Sequence, residues 1–286
     1  HKHAILVALL ARLTAKSKPL TYVETHAGRG VYQLDGSESS KTGEAQRGVS
    51  RLRADAPAWA EPLLDAIGSA PAYRGSPAIA AHLTRPDDRL LLMELHPAEH
   101  AALARHFADD PRAACHKRDA FEGLLALTPP MPRRGLVLID PSYELAGSYD
   151  ETVAAVVRLR ARWPQAVVAV WYPLLTSGLG ETLRAALVGS AAEAADAWWH
   201  EVTFAAPQLA ARTGSQQAAG GRQPRAEGTR SGGRDGKETA GRGSRGKGMG
   251  GSGMVVLNPP WQWAQDTASL LADLSGFLAN QGEPGL

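Results

Sequence analysis

The sequence predicts an α/β protein built as a Rossmann-like, doubly wound sheet, with about seven mostly parallel strands and helices on both faces. Three observations carry this. Short apolar runs of strand length alternate with amphipathic stretches of helix length over most of the 286 residues. Polar residues recur where the strands end, as in Leu136-Val137-Leu138-Ile139 running into Asp140-Pro141-Ser142-Tyr143. A glycine turn, Thr25-His26-Ala27-Gly28-Arg29-Gly30, follows the first strand, where an open α/β sheet lets a ligand approach the backbone.

The elements follow in order. Ile5, Leu6, Leu9, Leu10 and Leu13 recur at helical spacing, so residues 1 to 15 read as a helix ended by Lys18-Pro19. Leu20 to Glu24 is the first strand. Residues 36–88 show no sheet strand and read as a small helical insertion, with helices over Ser50–Arg53, Trp59–Ile67 and Ala78–Leu83. Within it, Tyr73-Arg74-Gly75-Ser76-Pro77 reads as a loop turning into a helix with Ser76 as its N-cap. Regular alternation then sets in: strand Leu90–Leu95, helix Ala98–Phe107, strand Ala113–Lys117, helix Phe121–Leu127, and the strand ending at Asp140. Helix Tyr149–Trp163, strand Ala166–Trp171, helix Leu179–Val188, strands Ala197–Phe204 and Met254–Leu257, and helix Thr267–Leu278 complete the chain.

With 44% apolar residues, the chain can bury the core of a single domain spanning 1–286. The net charge of +2 is unevenly spread. Arg212 to Lys247 holds nine Lys or Arg and three Asp or Glu, which is +6 and leaves −4 elsewhere. Residues 207–253 are rich in Gly and Arg with almost no large apolar side chain, and are expected to form a disordered loop that could hold RNA phosphates by charge. Cys115 is the only cysteine, which rules out an intrachain disulfide and a cysteine-based metal site and suits the cytoplasm. No cluster has metal-ligand spacing, so no metal is expected. No apolar run approaches the roughly 20 residues of a membrane span, and no signal peptide is visible. The sequence opens without methionine at His1-Lys2-His3, already inside a helical pattern, as if residues precede it.

Glu24, Glu94, Asp119 and Asp140 each end one of the first four sheet strands. Successive carboxylates at that edge suit a cofactor with a ribose diol, an adenine amine and a cationic amino-acid end, which describes S-adenosylmethionine. Gln33 stands where a dinucleotide fingerprint needs its third glycine, which argues against a nicotinamide enzyme. In Asp140-Pro141-Ser142-Tyr143, a carboxylate and a carbonyl can accept from an exocyclic amine while an aromatic ring stacks on the base, the chemistry of amino methylation on an extruded base. Asn258-Pro259-Pro260-Trp261 resembles such a turn more literally, but it follows the last strand. It reads as a structural turn or a pocket wall. Trp198 and Trp199 read as wedges between sheet and helices.

Together, Thr25-His26-Ala27-Gly28-Arg29-Gly30, Gly75-Ser76-Pro77, Glu94-Leu95-His96-Pro97, Asp140-Pro141-Ser142-Tyr143-Glu144, Trp171-Tyr172-Pro173 and Asn258-Pro259-Pro260-Trp261 occur in the order seen in the RlmJ (YhiR) family. The resemblance covers nearly the whole chain. It implies a class I fold dependent on S-adenosyl-L-methionine, with S-adenosyl-L-homocysteine as product. The implied reaction is methylation of the N6 amino group of an adenine in 23S ribosomal RNA; a monomer is expected. Carried over, His3, His26, Ser76, Glu94, Asp119, Ala120 and Asp140 fall on cofactor-binding positions, Asp140 on the catalytic acceptor, and Lys2, Pro141 and Tyr143 on the substrate side. Ser142 departs from the family's second proline and loses one φ restraint. The family's N-terminal segment is absent here, and the Gly/Arg stretch is longer. Competing readings are a methyltransferase of the same fold acting on DNA adenine or protein glutamine, and a non-catalytic RNA-binding module.

Overall fold

The computed structural model describes residues 1–34, 43–191, 196–204 and 249–279, with side chains from residue 48 onward in the second stretch. α1 (Lys2–Thr14) buries Ile5, Leu6, Leu9, Leu10 and Leu13 as their spacing requires, and Ala4 and Val7 as well. It is therefore enclosed rather than laid on the surface by one apolar stripe. Each large side chain so buried contributes about 1.5–3 kcal/mol, and together they fix where His1 to His3 stand.

β1 (Thr21–Glu24) is followed by the insertion. This holds β2 (Val31–Gln33), α2 (Gly43–Asp55), a 3-10 turn at Ala58–Ala60, α3 (Glu61–Ile67), β3 (Ala72–Arg74) and α4 (Ser76–Leu83). The insertion thus begins at residue 31, before the expected 36, and is not purely helical, because β2 and β3 pair antiparallel as a ribbon of their own. Pro62 at the start of α3 breaks the expected 59–67 helix into a 3-10 turn and an α-helix. The alternating part comprises β4 (Arg89–Met93), α5 (Pro97–His106), β5 (Ala113–His116), α6 (Ala120–Leu127), β6 (Gly135–Ile139), α7 (Gly147–Arg162), β7 (Val167–Leu174), α8 (Leu179–Gly189), β8 (Ala197–Thr203), β9 (Gly251–Leu257) and α9 (Trp263–Ala279). The Gly/Arg-rich stretch expected over 207–253 lies outside the described residues as far as residue 248.

The seven-stranded sheet runs β5-β4-β1-β6-β7-β9-β8. β9 is antiparallel to both neighbours and the other pairs are parallel, the strand order of class I S-adenosylmethionine-dependent methyltransferases. Cores cover both faces. One joins α1, α3, α4, α5 and α9 to the sheet, and the other joins α6, α7 and α8. β6, central and buried at every residue, reads as the continuous apolar run of a strand covered on both sides. Gly135 opens it because a Cβ there would lie 2.6 Å from both the Thr21 carbonyl oxygen and the Trp163 ring.

Candidate active site

Strand order reverses between β1 and β6, and the crevice beyond their carboxyl ends is where such sheets take ligands. Asp140 leaves β6 there. Lys2, delivered by the first turn of α1, donates to Asp140 Oδ2. Burial pulls the Lys2 ammonium's pKa down, but the charge and hydrogen bond of Asp140 outweigh it and the net shift is upward. Among the described residues, no group bonds to Asp140 Oδ1. Pro141 is buried and Ser142 exposed. Tyr143 then takes φ +51°, a left-handed step that costs a non-glycine residue about 1 kcal/mol. The step folds its ring beneath the turn, 4.5 Å from the Tyr149 ring and 6.2 Å from the Trp171 ring. Tyr143 is 5% exposed, and burial raises the pKa of its hydroxyl.

The ends of β4 and β5 form a second group. Glu94 accepts from the Gly28 amide through Oε2 (2.8 Å) and from the His96 amide through Oε1 (2.7 Å). A carboxylate has about four lone-pair sites, so capacity remains. Asp119 caps α6: its Oδ1 accepts from the Phe121 and Glu122 amides at 3.0 and 2.9 Å, while no described group bonds to Oδ2. Ala120, the first residue of α6, is buried against this corner. His26 pairs with the Thr25 hydroxyl at 2.8 Å and meets the Phe121 ring edge-on. Burial lowers its pKa, partly offset by Asp140, Glu94 and Asp119. Gly28 adopts φ +60°, a backbone region glycine enters without strain. Unspent carboxylate oxygens around a left-handed glycine turn fit a ligand bearing a diol and an amine.

Glu24 differs from the other acidic strand ends. It is fully buried, accepting from Tyr22 through Oε2 at 2.8 Å and from Ser76 through Oε1 at 2.5 Å. Ser76 is therefore not the N-cap the sequence suggests. Gly75 holds that position, and the Ser76 hydroxyl turns inward to the carboxylate. Burial raises the Glu24 pKa to about 7, against the lowering effect of both hydroxyls and of Lys2. The expectation that four carboxylates face one ligand is corrected to three, since Glu24 has no exposed surface. His3 joins this network's edge through Nδ1, 2.5 Å from the Tyr73 hydroxyl. Its Nε2 is buried without a partner, and burial, then the Lys2 charge, hold its pKa well below the usual value. A buried orphan nitrogen of this kind is a group a bound ligand can satisfy.

A cavity of about 820 Å³ opens beside the turn. Lys2, His3, Asp140, Pro141 and Ser142 form its polar end, and Trp171, Trp59 and Phe277 are among its apolar walls. Tyr143, expected to face the substrate, does not line it; Trp171 does. Sequence reasoning gave Trp171 no role, although the motif Trp171-Tyr172-Pro173 following a strand was its available signal. Asn258-Pro259-Pro260-Trp261 lies at the opposite sheet edge, because antiparallel β9 ends beside Val168 at the start of β7. It is a structural turn, with the Asn258 amide donating to the Asp196 carbonyl (2.7 Å), and not a pocket wall. Trp198 meets Trp263 edge-on at 5.6 Å and does wedge the sheet against α9. Trp199 is half-exposed under the Arg184 guanidinium.

Comparison with known proteins shows the family. The sequence profile of a family described as "Ribosomal RNA large subunit methyltransferase D, RlmJ" matches residues 17–193. The Haemophilus influenzae protein named Ribosomal RNA large subunit methyltransferase J is 33% identical over 290 residues, covering 98% of this chain and 90% of the relative. Its Escherichia coli namesake is 38% identical over 182 residues, covering 61% of this chain and 65% of the relative. A crystal structure of a Legionella pneumophila protein superposes with a TM-score of 0.75 at 26% identity, covering 98% of this chain and 92% of the other. The matched segment contains the glycine turn, all three available carboxylates and the Asp140 turn, and the chain belongs to the RlmJ family of large-subunit ribosomal RNA methyltransferases.

Proposed function

We propose that this protein methylates the N6 amino group of an adenine in 23S ribosomal RNA, using S-adenosyl-L-methionine and releasing S-adenosyl-L-homocysteine. The observation that carries the reading is the Asp140-Pro141 turn. It stands at the sheet's switch point, between the carboxylates at the ends of β4 and β5 and an aromatic-walled cavity. Lys2 engages one oxygen of Asp140, and the other is left to meet a substrate.

The cofactor supplies, when bound, a methyl group made electrophilic by an adjacent sulfonium. Glu94 has lone pairs left for the ribose diol, and Asp119 Oδ2 for the adenine amine, with Ala120 closing that corner. His3 and His26 suit the amino-acid end, while the Ser76 hydroxyl, expected there too, is turned inward to Glu24. On the substrate side, Asp140 Oδ1 and the Pro141 carbonyl accept the two N–H bonds of the target amine, which turns the nitrogen lone pair toward the methyl. Both bonds strengthen as positive charge develops on nitrogen, so they lower the barrier more than they tighten ground-state binding, and the methylated nitrogen then sheds one of its two protons to water. Lys2 holds the carboxylate in the orientation this requires. Tyr143, packed under the turn, supports its shape. An enzyme with this substrate works in the cytoplasm, where the ribosomal RNA is.

The reading is tested with labelled S-adenosylmethionine and protein-free 23S ribosomal RNA, followed by digestion to nucleosides. Label is expected in N6-methyladenosine. Label in any other nucleoside would reject the adenine amine as acceptor, and label on DNA or protein alone would reject the substrate class.

A further inference from the structure

Trp171 stands next to Asp140 because the register pairs Ile139 with Val170, so the residues that follow lie side by side at the sheet edge. Across the next two strands, Trp171, Met254 and His200 lie in one row. Ser252, two residues along β9 from Met254, points to the same face. His1 arrives over that face at the start of α1. Four hydrogen bonds then link five side chains. Trp171 Nε1 lies 2.7 Å from Ser252 Oγ, and Ser252 Oγ lies 2.9 Å from His1 Nδ1. His1 Nε2 lies 3.1 Å from His200 Nδ1, and His200 Nε2 lies 3.3 Å from Ser275 Oγ on α9.

One donor in the chain is fixed: an indole N–H can only donate, so Ser252 accepts from Trp171. Ser252 keeps a proton and a second lone pair for His1, so the two imidazoles and Ser275 complete the chain in either direction, with one proton on each ring. Burial lowers the pKa of His200 and favours its neutral form. A buried tryptophan needs one acceptor for its N–H. Here that acceptor is oriented by a chain of side chains reaching from the first residue to the last described helix, and the ring it holds is a wall of the cavity beside Asp140.

We propose that Trp171 is the face on which the extruded target base stacks, and that Ser252, His1 and His200 are positioning residues that set the plane of its indole. This rests on the methyltransferase reading above. The cavity's 820 Å³ lies within the usual range for small-molecule sites. A planar ring beside a carboxylate and a carbonyl matches a purine whose exocyclic amine must reach both.

The experiment measures KM and kcat on 23S ribosomal RNA, with S-adenosylhomocysteine affinity by calorimetry as a control on each variant. Trp171→Ala is expected to raise KM roughly 5- to 150-fold, the equivalent of base–aromatic stacking, and Trp171→Phe to recover most of the loss, both with cofactor affinity unchanged. His200 supplies the test of positioning and stands in should Trp171→Ala fail to fold. His200→Leu fills the space without a hydrogen-bonding group and is expected to raise KM. His200→Asn is smaller but keeps an amide that accepts or donates near the Nδ1 position, and is expected to hold KM within about threefold. Packing alone would give the reverse order, which would overturn the positioning role. An active wild type with unchanged KM in Trp171→Ala would overturn the stacking role and leave the methyltransferase reading standing. A wild type that transfers no methyl to the RNA would overturn both.

Discussion

Glu24→Gln separates the buried carboxylate's contribution from everything else in the site. Glu24 has no exposed surface, and its pKa moves from 4.5 to about 7, chiefly through burial. A carboxyl group whose folded pKa is raised contributes stability that is fully present below its unfolded value. That contribution is lost as pH rises through the folded value. The window is therefore pH 4.5 to about 7, and each pKa unit is worth about 1.4 kcal/mol, so the loss is on the order of 3 kcal/mol. Glutamine keeps the shape and cannot ionise. The Ser76 and Tyr22 hydroxyls that donate to Glu24 can each rotate to accept from the amide. His3, His26 and His200 act with the opposite slope, since lowered folded pKa values give stability that is lost as pH falls below their unfolded value. Wild type and variant share those terms, so the readout is the difference in unfolding free energy between the two, by urea titration from pH 4.5 to 8. Glu24→Gln is expected to gain about 3 kcal/mol on wild type across that range, seen in melting as roughly 6–10 °C. A difference that stays constant with pH would refute the buried-carboxylate account.

Other perturbations address single contacts. Gly135→Ala forces a Cβ to 2.6 Å from the Thr21 carbonyl and the Trp163 ring, and is expected to cost about 1–3 kcal/mol by denaturant titration; unchanged stability would mean that β6 has slack. Asp119→Asn keeps a good cap on α6 but removes the carboxylate. It is expected to weaken S-adenosylhomocysteine binding about tenfold with the melting temperature unmoved, the cost of a charge-assisted hydrogen bond, and an equal loss of stability would make Asp119 only a cap. Lys2→Gln removes the charge partner of Asp140, with single-turnover transfer expected to slow about 10- to 100-fold; a wild-type rate would leave that pair without a role in orientation.

Most of the sheet was legible because its strands are buried on both faces and so read as apolar runs. What escaped has physical causes. β2 and β3 span three residues each, too short for an alternating pattern to appear. β9 starts at Gly251 rather than Met254, since Gly251-Ser252-Gly253 has the composition of a turn. Yet a Cβ at Gly253 would lie 2.2 Å from the Tyr172 ring, so the strand needs glycine there. The acidic strand ends were legible as a set, but not that Tyr22 and Ser76 would close around Glu24, a contact between residues 52 apart. Trp171 was hidden for a similar reason. An aromatic residue in a strand reads as core, and the motif Trp171-Tyr172-Pro173 assigns it no role until the register sets it beside Asp140 and the row links it to His200.

The central claim is that Asp140 is where methyl transfer to the adenine amine is organised. The most direct measurement is single-turnover methylation of 23S ribosomal RNA by wild type and Asp140→Asn, with S-adenosylhomocysteine affinity measured on both. Asparagine keeps one carbonyl acceptor and loses the charge, so the rate is expected to fall about 10²- to 10³-fold, the scale seen when one transition-state hydrogen bond is removed, while cofactor affinity changes by less than about threefold. A wild-type rate in Asp140→Asn would contradict the account and leave Asp140 as a turn residue.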